Sequence, residues 1–385
     1  MKNSQRRLAD FTAGGVMALA IFTALVLIGG IMLRLPDYGR GLAVMSARLS
    51  SIGFSSDEEE PAEHDNTDTQ KPPTVNPRIA GELIRLTGFG GWDIEAAPQE
   101  TQEDTEIADD EAQELLYPNR LESNDGRIVR KTYTYHPSAS YIELPDGGLL
   151  RNCTDIDSAY LLEQCARSPD FDVALNGEPL VLIMHTHTTE SYEPYIRDYY
   201  DSSFSSRTTE LEKSVVAVGE EMAKQLEAAG IGVIHDKTVH DYPHYTGAYA
   251  RSAKTIAEYL EEYPSIKIVI DVHRDAIESD SVRYAPAVEI DGRSAAQVMI
   301  ISGCTNVPQY RYNLRVTARL QSQMESDWPG LTRPILFDER NYNQEMTHGS
   351  FLIEMGSNAN SLDEAVYSGE LVGKSLAKVL LKLAE

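Results

Sequence analysis

Short apolar runs alternate with amphipathic segments through the C-terminal half of the chain. Runs typical of buried strands occupy residues 180–184, 266–270, 297–302, 334–337 and 350–354. Between them, apolar residues recur at every third or fourth position, as on the buried face of a helix. Strands that alternate with helices favour a mostly parallel sheet covered by helices. We therefore predict an α/β fold, a three-layer αβα domain around a mixed, mostly parallel central sheet.

Capping and turn residues delimit several of these elements. A capping box of Thr209 and Glu212 predicts the start of one helix, and Gly230 predicts its end. The dipeptide Asp291-Gly292 predicts a tight antiparallel hairpin. The run Pro145–Gly148 predicts the turn of a second, peripheral hairpin.

A different apolar run lies near the N-terminus. Residues 11–33 are 23 consecutive uncharged positions, slightly more than the roughly 20 that cross a bilayer as a helix. Lys2, Arg6 and Arg7 precede the run, which favours a cytoplasmic N-terminus at residues 1–10. We therefore expect a single-pass anchor in the cell membrane and an extracytoplasmic C-terminal part. A removed signal peptide is the alternative, although its apolar core is usually only about 7 to 15 residues long.

Acidic residues dominate the next part of the chain. The formal net charge is −26, and residues 57–68 and 93–114 contain seven and ten carboxylates. Such segments bury too little apolar surface to fold, so we expect residues 34–129 to form a largely disordered tether. Residues 130–178 then lead into a catalytic domain at 179–385. The negative charge argues against nucleic acid as a partner, because phosphate contacts need clustered Lys and Arg.

The chain has three cysteines, too few for a disulfide framework. Cys153 and Cys165 are the plausible pair if any pair forms. No cysteine has a Cys or His neighbour at zinc-finger spacing, which argues against a structural metal site through sulfur.

Side chains that commonly bind metals stand where three of the predicted strands end. His187 and Glu190 follow the first run in an HxxE pattern, His273 follows the second, and Glu354 ends a third. In open α/β sheets, sites are built at the carboxyl ends of the strands. A lone His at a strand end is usually structural, but two His and two Glu at three strand ends indicate a shared site.

Two imidazoles and one carboxylate are a common ligand set of catalytic zinc. We expect His187, Glu190 and His273 to bind one Zn²⁺, which would lower the pKa of its bound water to about 7 and so provide the nucleophile. Glu354 is left as the general base and acid of an amide hydrolysis.

The choice between His185 and His187 as the ligand stays open at this point. Strand side chains alternate between faces, so the two point the same way only if the strand continues. We favour His187, because the HxxE turn brings Glu190 round to the same side. His185, Arg274 and Asp275 are then expected to orient the ligands or to contact the substrate.

Four stretches together resemble one protein family: Leu182–Tyr192, Asp271–Ala276, Tyr342–Gln344 and Leu352–Gly356. From about Pro179 to the C-terminus the chain resembles the stage II sporulation protein P family, the membrane-anchored cell-wall hydrolases of endospore-forming bacteria. That family is in turn similar to the zinc-dependent N-acetylmuramoyl-L-alanine amidases.

The resemblance implies hydrolysis of the amide between N-acetylmuramic acid and L-alanine in peptidoglycan, and a second, endopeptidase activity on peptide cross-links. It also implies a role in engulfment beside two membrane proteins, a lytic transglycosylase and a multispanning anchor. Carried over to this chain, His187 and His273 bind zinc and Glu354 is catalytic. Glu190 departs from the amidase pattern, in which the ligand Glu lies well downstream of the first His.

Two other functions remain open. A zinc carboxypeptidase also uses HxxE, a later His and a distant catalytic Glu, and Arg340 or Asn343 could bind a terminal carboxylate. The second of these functions is that of a non-catalytic wall-binding scaffold, although such a protein has no use for a general base at Glu354.

Overall fold

The computed structural model describes residues 114–385. The predicted anchor at 11–33 and the tether up to residue 113 lie outside these residues. Within the described range, no helix combines the length and the apolar character that a bilayer crossing requires. Residues 114–385 form a mixed α/β fold with five α-helices and two sheets, so the predicted fold class is confirmed.

The elements follow in chain order. The strands are β1 (Gly126–Lys131), β2 (Ile142–Glu143), β3 (Leu149–Asn152), β4 (Pro179–Met184), β5 (Tyr199–Tyr200), β6 (Gly232–His235), β7 (Ile268–Asp275), β8 (Glu278–Ser279), β9 (Val282–Ile290), β10 (Arg293–Ala296), β11 (Val298–Gly303), β12 (Ile335–Asp338) and β13 (Ser350–Ser357). The helices are α1 (Ser158–Ala166), α2 (Val215–Ala228), α3 (Ala248–Glu262), α4 (Tyr310–Asp327) and α5 (Leu362–Leu383).

The larger sheet has eight strands in the order β2-β3-β12-β11-β13-β7-β4-β6. Five neighbouring pairs are parallel, and only β2 with β3 and β11 with β13 run antiparallel. Strands buried on both faces carry continuous apolar runs rather than alternating ones, which is why these segments stood out in the sequence. The prediction of a mixed, mostly parallel sheet is confirmed.

Alternating side chains on the central strands face two separate cores. Ile183 of β4 and Ile270 of β7 belong to the large core, to which α1, α2, α4 and α5 contribute apolar residues. Leu182 and Val269, each one residue earlier, point the opposite way and pack with Ile256 of α3. Helices therefore lie on both faces of the sheet, as the three-layer prediction requires.

The second, smaller sheet was not predicted. It has the order β10-β9-β1-β5, and β8 pairs with β9. In it β1 runs parallel to β9, with Arg127 opposite Val282, and Ile128 is buried. Residues 114–129 were assigned to the acidic tether, but in the structure they lie against the domain. The strand β1 is short and buries a single apolar side chain, so it could not be predicted beside so many carboxylates.

Both predicted hairpins are present. The strands β2 and β3 pair antiparallel across the Pro145–Gly148 turn, and β9 and β10 pair across Asp291-Gly292. Asp291 and Gly292 both have positive φ, at 50° and 74°, as the tightest hairpin turns require.

The predicted capping box of Thr209 and Glu212 is wrong. Helix α2 begins at Val215, and the hydroxyl of the N-cap residue Ser214 accepts a hydrogen bond from the backbone two residues later. The Thr209 hydroxyl instead accepts from the backbone N–H of Leu115, at 3.1 Å. A long-range partner has therefore replaced the local one that the capping pattern suggested.

All three cysteines of the chain are free. Cys165 lies in the large core, whereas Cys153 packs on the opposite face of the sheet, against the cluster that contains Met299. The sheet separates the two thiols, and this candidate pair does not form.

We expect removal of β1 to destabilise the domain. A fragment of residues 114–385 keeps the pairing with β9 and the contacts of Ile128 with Ala285 and Ala359. Because burying one Ile contributes about 1.5 to 3 kcal/mol, a fragment of residues 132–385 should lose at least about 2 kcal/mol in free energy of unfolding. Urea titrations of both fragments measure the difference, and equal stabilities would contradict a structural role for β1.

Candidate active site

Parallel pairing brings the carboxyl ends of three strands together. Met184 at the end of β4 lies opposite Asp271 of β7, and His273 of β7 lies opposite Glu354 of β13. The loop that follows β4 and the ends of β7 and β13 therefore meet at one edge of the sheet, where sites in such folds are built.

The three predicted metal ligands are grouped at this edge, and all three are buried. The ring centroids of His187 and His273 are 5.2 Å apart, and Oε2 of Glu190 lies 3.4 Å from Nδ1 of His273. The N–H of Glu190 donates to the carbonyl of His187 at 3.0 Å, which closes the HxxE turn. The turn therefore presents both of its side chains toward His273.

These side chains have the chemistry of zinc ligands, two imidazoles and one carboxylate. Nδ1 of His187 is buried without a hydrogen-bond partner, so it is a donor atom that a cation could use. Among residues 114–385, however, no three His, Cys, Asp or Glu side chains are already arranged to hold a metal ion. Glu190 and His273 contact each other directly, and a cation would have to replace that contact.

Glu354 lies beside this group, opposite His273 on the neighbouring strand. Its Oε2 atom is buried and has no hydrogen-bond partner. Burial, together with the nearby charges of Asp275 and Glu190, raises the pKa of Glu354 to about 8, although His273 acts in the opposite direction. A carboxyl group whose pKa lies near neutrality is suited to both accepting and returning a proton.

Asp271 was not among the predicted site residues, yet it lies beside His273. Its Oδ1 atom is 2.9 Å from Nε2 of His273, and both of its oxygens accept hydrogen bonds from Thr186, at 2.8 and 2.7 Å. Burial disfavours the charged form of His273, but Asp271 and Glu190 outweigh it and hold the pKa of His273 well above its ordinary value. Strand alternation was the available signal, because Asp271 precedes His273 by two residues.

His185 points to the other face of the sheet. The strand β4 ends at Met184, and His185 continues its alternation toward α2. Its Nδ1 donates to the carbonyl of Val272 at 3.0 Å, and its Nε2 lies 3.0 Å from Nε2 of His235. Of the two histidines left open by the sequence, only His187 lies with the other predicted ligands.

Arg274 and Asp275 have different surroundings. The backbone N–H of Arg274 donates to Oε2 of Glu190 at 3.2 Å, and its guanidinium donates to carbonyls of two adjoining loops. Burial alone would raise the pKa of Glu190, but Arg274 and His273 hold it below its usual range. Asp275 pairs with Arg333 at 2.9 Å and does not contact a ligand imidazole. Arg274 therefore positions a predicted ligand, whereas Asp275 balances a buried cation.

Three further residues support the HxxE turn. The ring of Tyr245 stacks on His187 with centroids 4.5 Å apart, and its hydroxyl lies 3.0 Å from Nε2 of His187. Arg207 lies over the Tyr245 ring and pairs with Asp241 at 2.6 Å. Burial lowers the pKa of His187 to about 3, despite the nearby charge of Glu190. These supporting residues come from loops without periodic pattern, so no motif indicated them.

The Tyr342–Gln344 stretch lies over the same face of the sheet. The amide of Asn343 donates to the carbonyl of Tyr249 at 2.9 Å. Arg340 donates to Asp338 at 2.9 Å and to the hydroxyl of Tyr342 at 2.8 Å. The amide of Asn343 and the Nε and Nη1 groups of Arg340 are therefore bonded within the protein.

Comparison with known proteins adds the following. The family model of stage II sporulation protein P (SpoIIP) matches residues 93–379. Stage II sporulation protein P of Bacillus subtilis (strain 168) is 28% identical over 196 residues, which are 48% of this chain and 47% of that protein. The chain thus spans about half the length of this relative.

Several solved structures are similar at low sequence identity. The CwlD amidase from Clostridioides difficile, in complex with the GerS lipoprotein, has a TM-score of 0.35 at 12% identity and covers 53% of this chain and 98% of its own. The N-acetylmuramoyl-L-alanine amidase AmiC2 of Nostoc punctiforme has a TM-score of 0.31 at 12% identity, covering 53% and 96%. The catalytic domain of the amidase CwlV from Bacillus (Paenibacillus) polymyxa var. colistinus has a TM-score of 0.32 at 13% identity, covering 54% and 99%.

Gly219 of α2 leaves the space that the His185–His235 pair occupies, since a Cβ there would lie 2.7 Å from His235 and 2.8 Å from His185. Replacing a mid-helix Gly by Ala usually stabilises a protein by about 0.5 to 1 kcal/mol. Here we expect Gly219→Ala to destabilise by about 1 to 3 kcal/mol, because two packed rings must move. Urea titration measures the sign of the change in free energy of unfolding.

A double variant tests the cause of this loss. Adding His235→Ala to Gly219→Ala removes one of the two rings, so the pair of changes should cost less than the sum of the single ones. A Gly219→Ala protein that is more stable than its parent would show that the rings do not restrict this position.

Proposed function

Because the chain belongs to the stage II sporulation protein P family, we propose that it is a zinc-dependent peptidoglycan hydrolase that acts during sporulation. The bond that we assign to it is the amide between N-acetylmuramic acid and the L-alanine of the stem peptide. One observation carries the proposal: Glu354 has a buried, unpartnered carboxylate oxygen next to the group of His187, Glu190 and His273.

We assign the following roles to the residues of the site. His187, Glu190 and His273 would hold the zinc ion. When bound, zinc would polarise the substrate carbonyl and make water more acidic. Asp271, whose Oδ1 lies 2.9 Å from Nε2 of His273, would orient that ring, and Arg274 would hold Glu190 in place through its backbone N–H.

Glu354 would move the protons of the reaction. It would accept a proton from the attacking water as the water oxygen bonds to the carbonyl carbon. It would then donate that proton to the amide nitrogen as the carbon–nitrogen bond breaks. A single carboxyl group can serve both steps, because its first transfer prepares it for the second.

We extend the proposal to the location of the enzyme. A membrane anchor at residues 11–33 would hold the domain at the outer face of the cell membrane, and the acidic tether would set its reach into the wall. From the family resemblance we also propose that the enzyme cleaves peptide cross-links. Its proposed partners are a lytic transglycosylase and a multispanning membrane protein of engulfment.

The carboxypeptidase alternative is less well supported. Such an enzyme needs a free group to bind the terminal carboxylate of its substrate. Arg340 and Asn343, which could have served, donate to Asp338, Tyr342 and Tyr249. A scaffold function, in turn, leaves the buried carboxyl of Glu354 without a purpose, although a buried unpaired acid is costly.

Product analysis separates these three functions. Purified cell wall is incubated with the protein, with and without a chelator, and the products are identified by mass spectrometry. Free stem peptides would indicate an amidase, shortened stems a carboxypeptidase, and an unchanged wall a scaffold. Hydrolysis that survives complete removal of divalent metal would contradict the zinc dependence.

Glu354→Gln tests the proposed base. We expect hydrolysis to fall at least about 100-fold, since general acid–base catalysis typically contributes that much or more. Bound zinc should remain at one ion per chain, because Glu354 is not in the proposed ligand set. Glu345→Gln, on an exposed position of the neighbouring loop, is the matched control and should be fully active. A fully active Glu354→Gln protein would refute the assignment.

Asp271→Asn tests the support of a proposed ligand. His273→Ala should abolish zinc binding and activity together, whereas Asp271→Asn should weaken zinc binding about 10- to 100-fold by freeing the orientation of His273. Titration against a chromophoric chelator measures both. Unchanged zinc affinity in Asp271→Asn would show that the contact with His273 has no role in binding.

A further inference from the structure

Residues 114–117, here called the junction segment, pair with residues 206–210, here called the bracing loop. The N–H of Leu115 donates to the Thr209 hydroxyl at 3.1 Å, and the N–H of Thr209 donates back to the carbonyl of Leu115 at 2.9 Å. The N–H of Tyr117 donates to Oε1 of Glu210 at 2.7 Å. The chain therefore enters the domain along this loop.

The bracing loop in turn holds the HxxE turn on both sides of Glu190. The N–H of Thr208 donates to the carbonyl of Thr189 at 2.8 Å, and the N–H of Ser191 donates to the carbonyl of Ser206 at 2.9 Å. Arg207 donates to the Thr189 hydroxyl at 3.0 Å, and its guanidinium lies 3.8 Å from Oε1 of Glu190. A displaced bracing loop would displace Glu190.

A second link bypasses the loop. The hydroxyl of Tyr117 donates to the carbonyl of Tyr192 at 3.0 Å, two residues after Glu190. The Tyr117 ring also packs edge-on against Phe204, with centroids 5.7 Å apart. The junction segment thus contacts the chain at two places around the HxxE turn.

We propose that the junction segment is a positioning element of the active site, which sets the affinity for zinc by holding the bracing loop and the HxxE turn together. This inference rests on the proposed function, because it takes His187 and Glu190 as ligands. A loop is mobile unless its backbone is bonded elsewhere, and ligands held in place bind metal more tightly than mobile ones. The site is then complete only when the residues immediately before the domain are docked.

The test uses two side-chain changes in the full-length protein. Thr209→Val removes the hydroxyl that accepts from Leu115, and Tyr117→Phe removes the hydroxyl that donates to Tyr192. We expect the double variant to bind Zn²⁺ at least about tenfold more weakly in competition with a chromophoric chelator, the size typical for lost support of a ligand. Its activity on cell wall should fall at limiting zinc and recover at saturating zinc.

Two controls separate this role from a general loss of stability. Thr209→Ser keeps a hydroxyl, and in a protein that also keeps Tyr117 it should restore the parental zinc affinity. Tyr199→Phe, at an exposed tyrosine of β5, should leave the affinity unchanged. The single changes Thr209→Val and Tyr117→Phe give the same comparison if the double variant does not fold.

The outcomes are distinguishable. If the parent and the folded variants bind zinc with the same affinity, the role of the junction segment is overturned and the proposed function stands. A weakened affinity that Thr209→Ser does not restore would also overturn it. A parent protein that binds no zinc would overturn the proposed function itself, and this inference with it.

Discussion

The parallel register of β4, β7 and β13 is the constraint on which the candidate site depends. It places Met184 level with Asp271 and His273 level with Glu354, so that groups far apart in the chain meet at one edge. Because strand side chains alternate, a slip of one residue would turn His273 or Glu354 to the other face of the sheet. Packing helps to hold the register, since a slip would also move Ile270 out of the large core and onto the face that packs against α3.

Charge balance is the second feature of the site. Buried carboxylates are costly unless cations lie near them. Arg274 contacts Glu190 and Arg333 pairs with Asp275, whereas Oε2 of Glu354 is buried and has no hydrogen-bond partner. Burial is the main cause that raises the pKa of Glu354 to about 8, which agrees with the proton-transfer role proposed for it.

Much of the fold and part of the site could be predicted from the sequence. The apolar runs indicated the central strands, and the strand-end positions of His187, His273 and Glu354 indicated that these residues would meet. The short strand β1 and the bond of Thr209 to Leu115 in place of a helix cap could not be predicted with the same patterns. Each of them depends on a partner far away in the chain, and local periodicity carries no information about such partners.

By itself, the sequence determined which segments become buried strands and which polar side chains stand at their ends, because burial of apolar runs is a local property. Only the tertiary structure decided which histidine joins the site. His185 continues the alternation of β4 toward α2, whereas the HxxE turn, which follows the end of β4 at Met184, carries His187 toward His273. Where a strand ends and what surrounds its last residues are set by packing between distant segments, and no pattern of neighbouring residues contains that information.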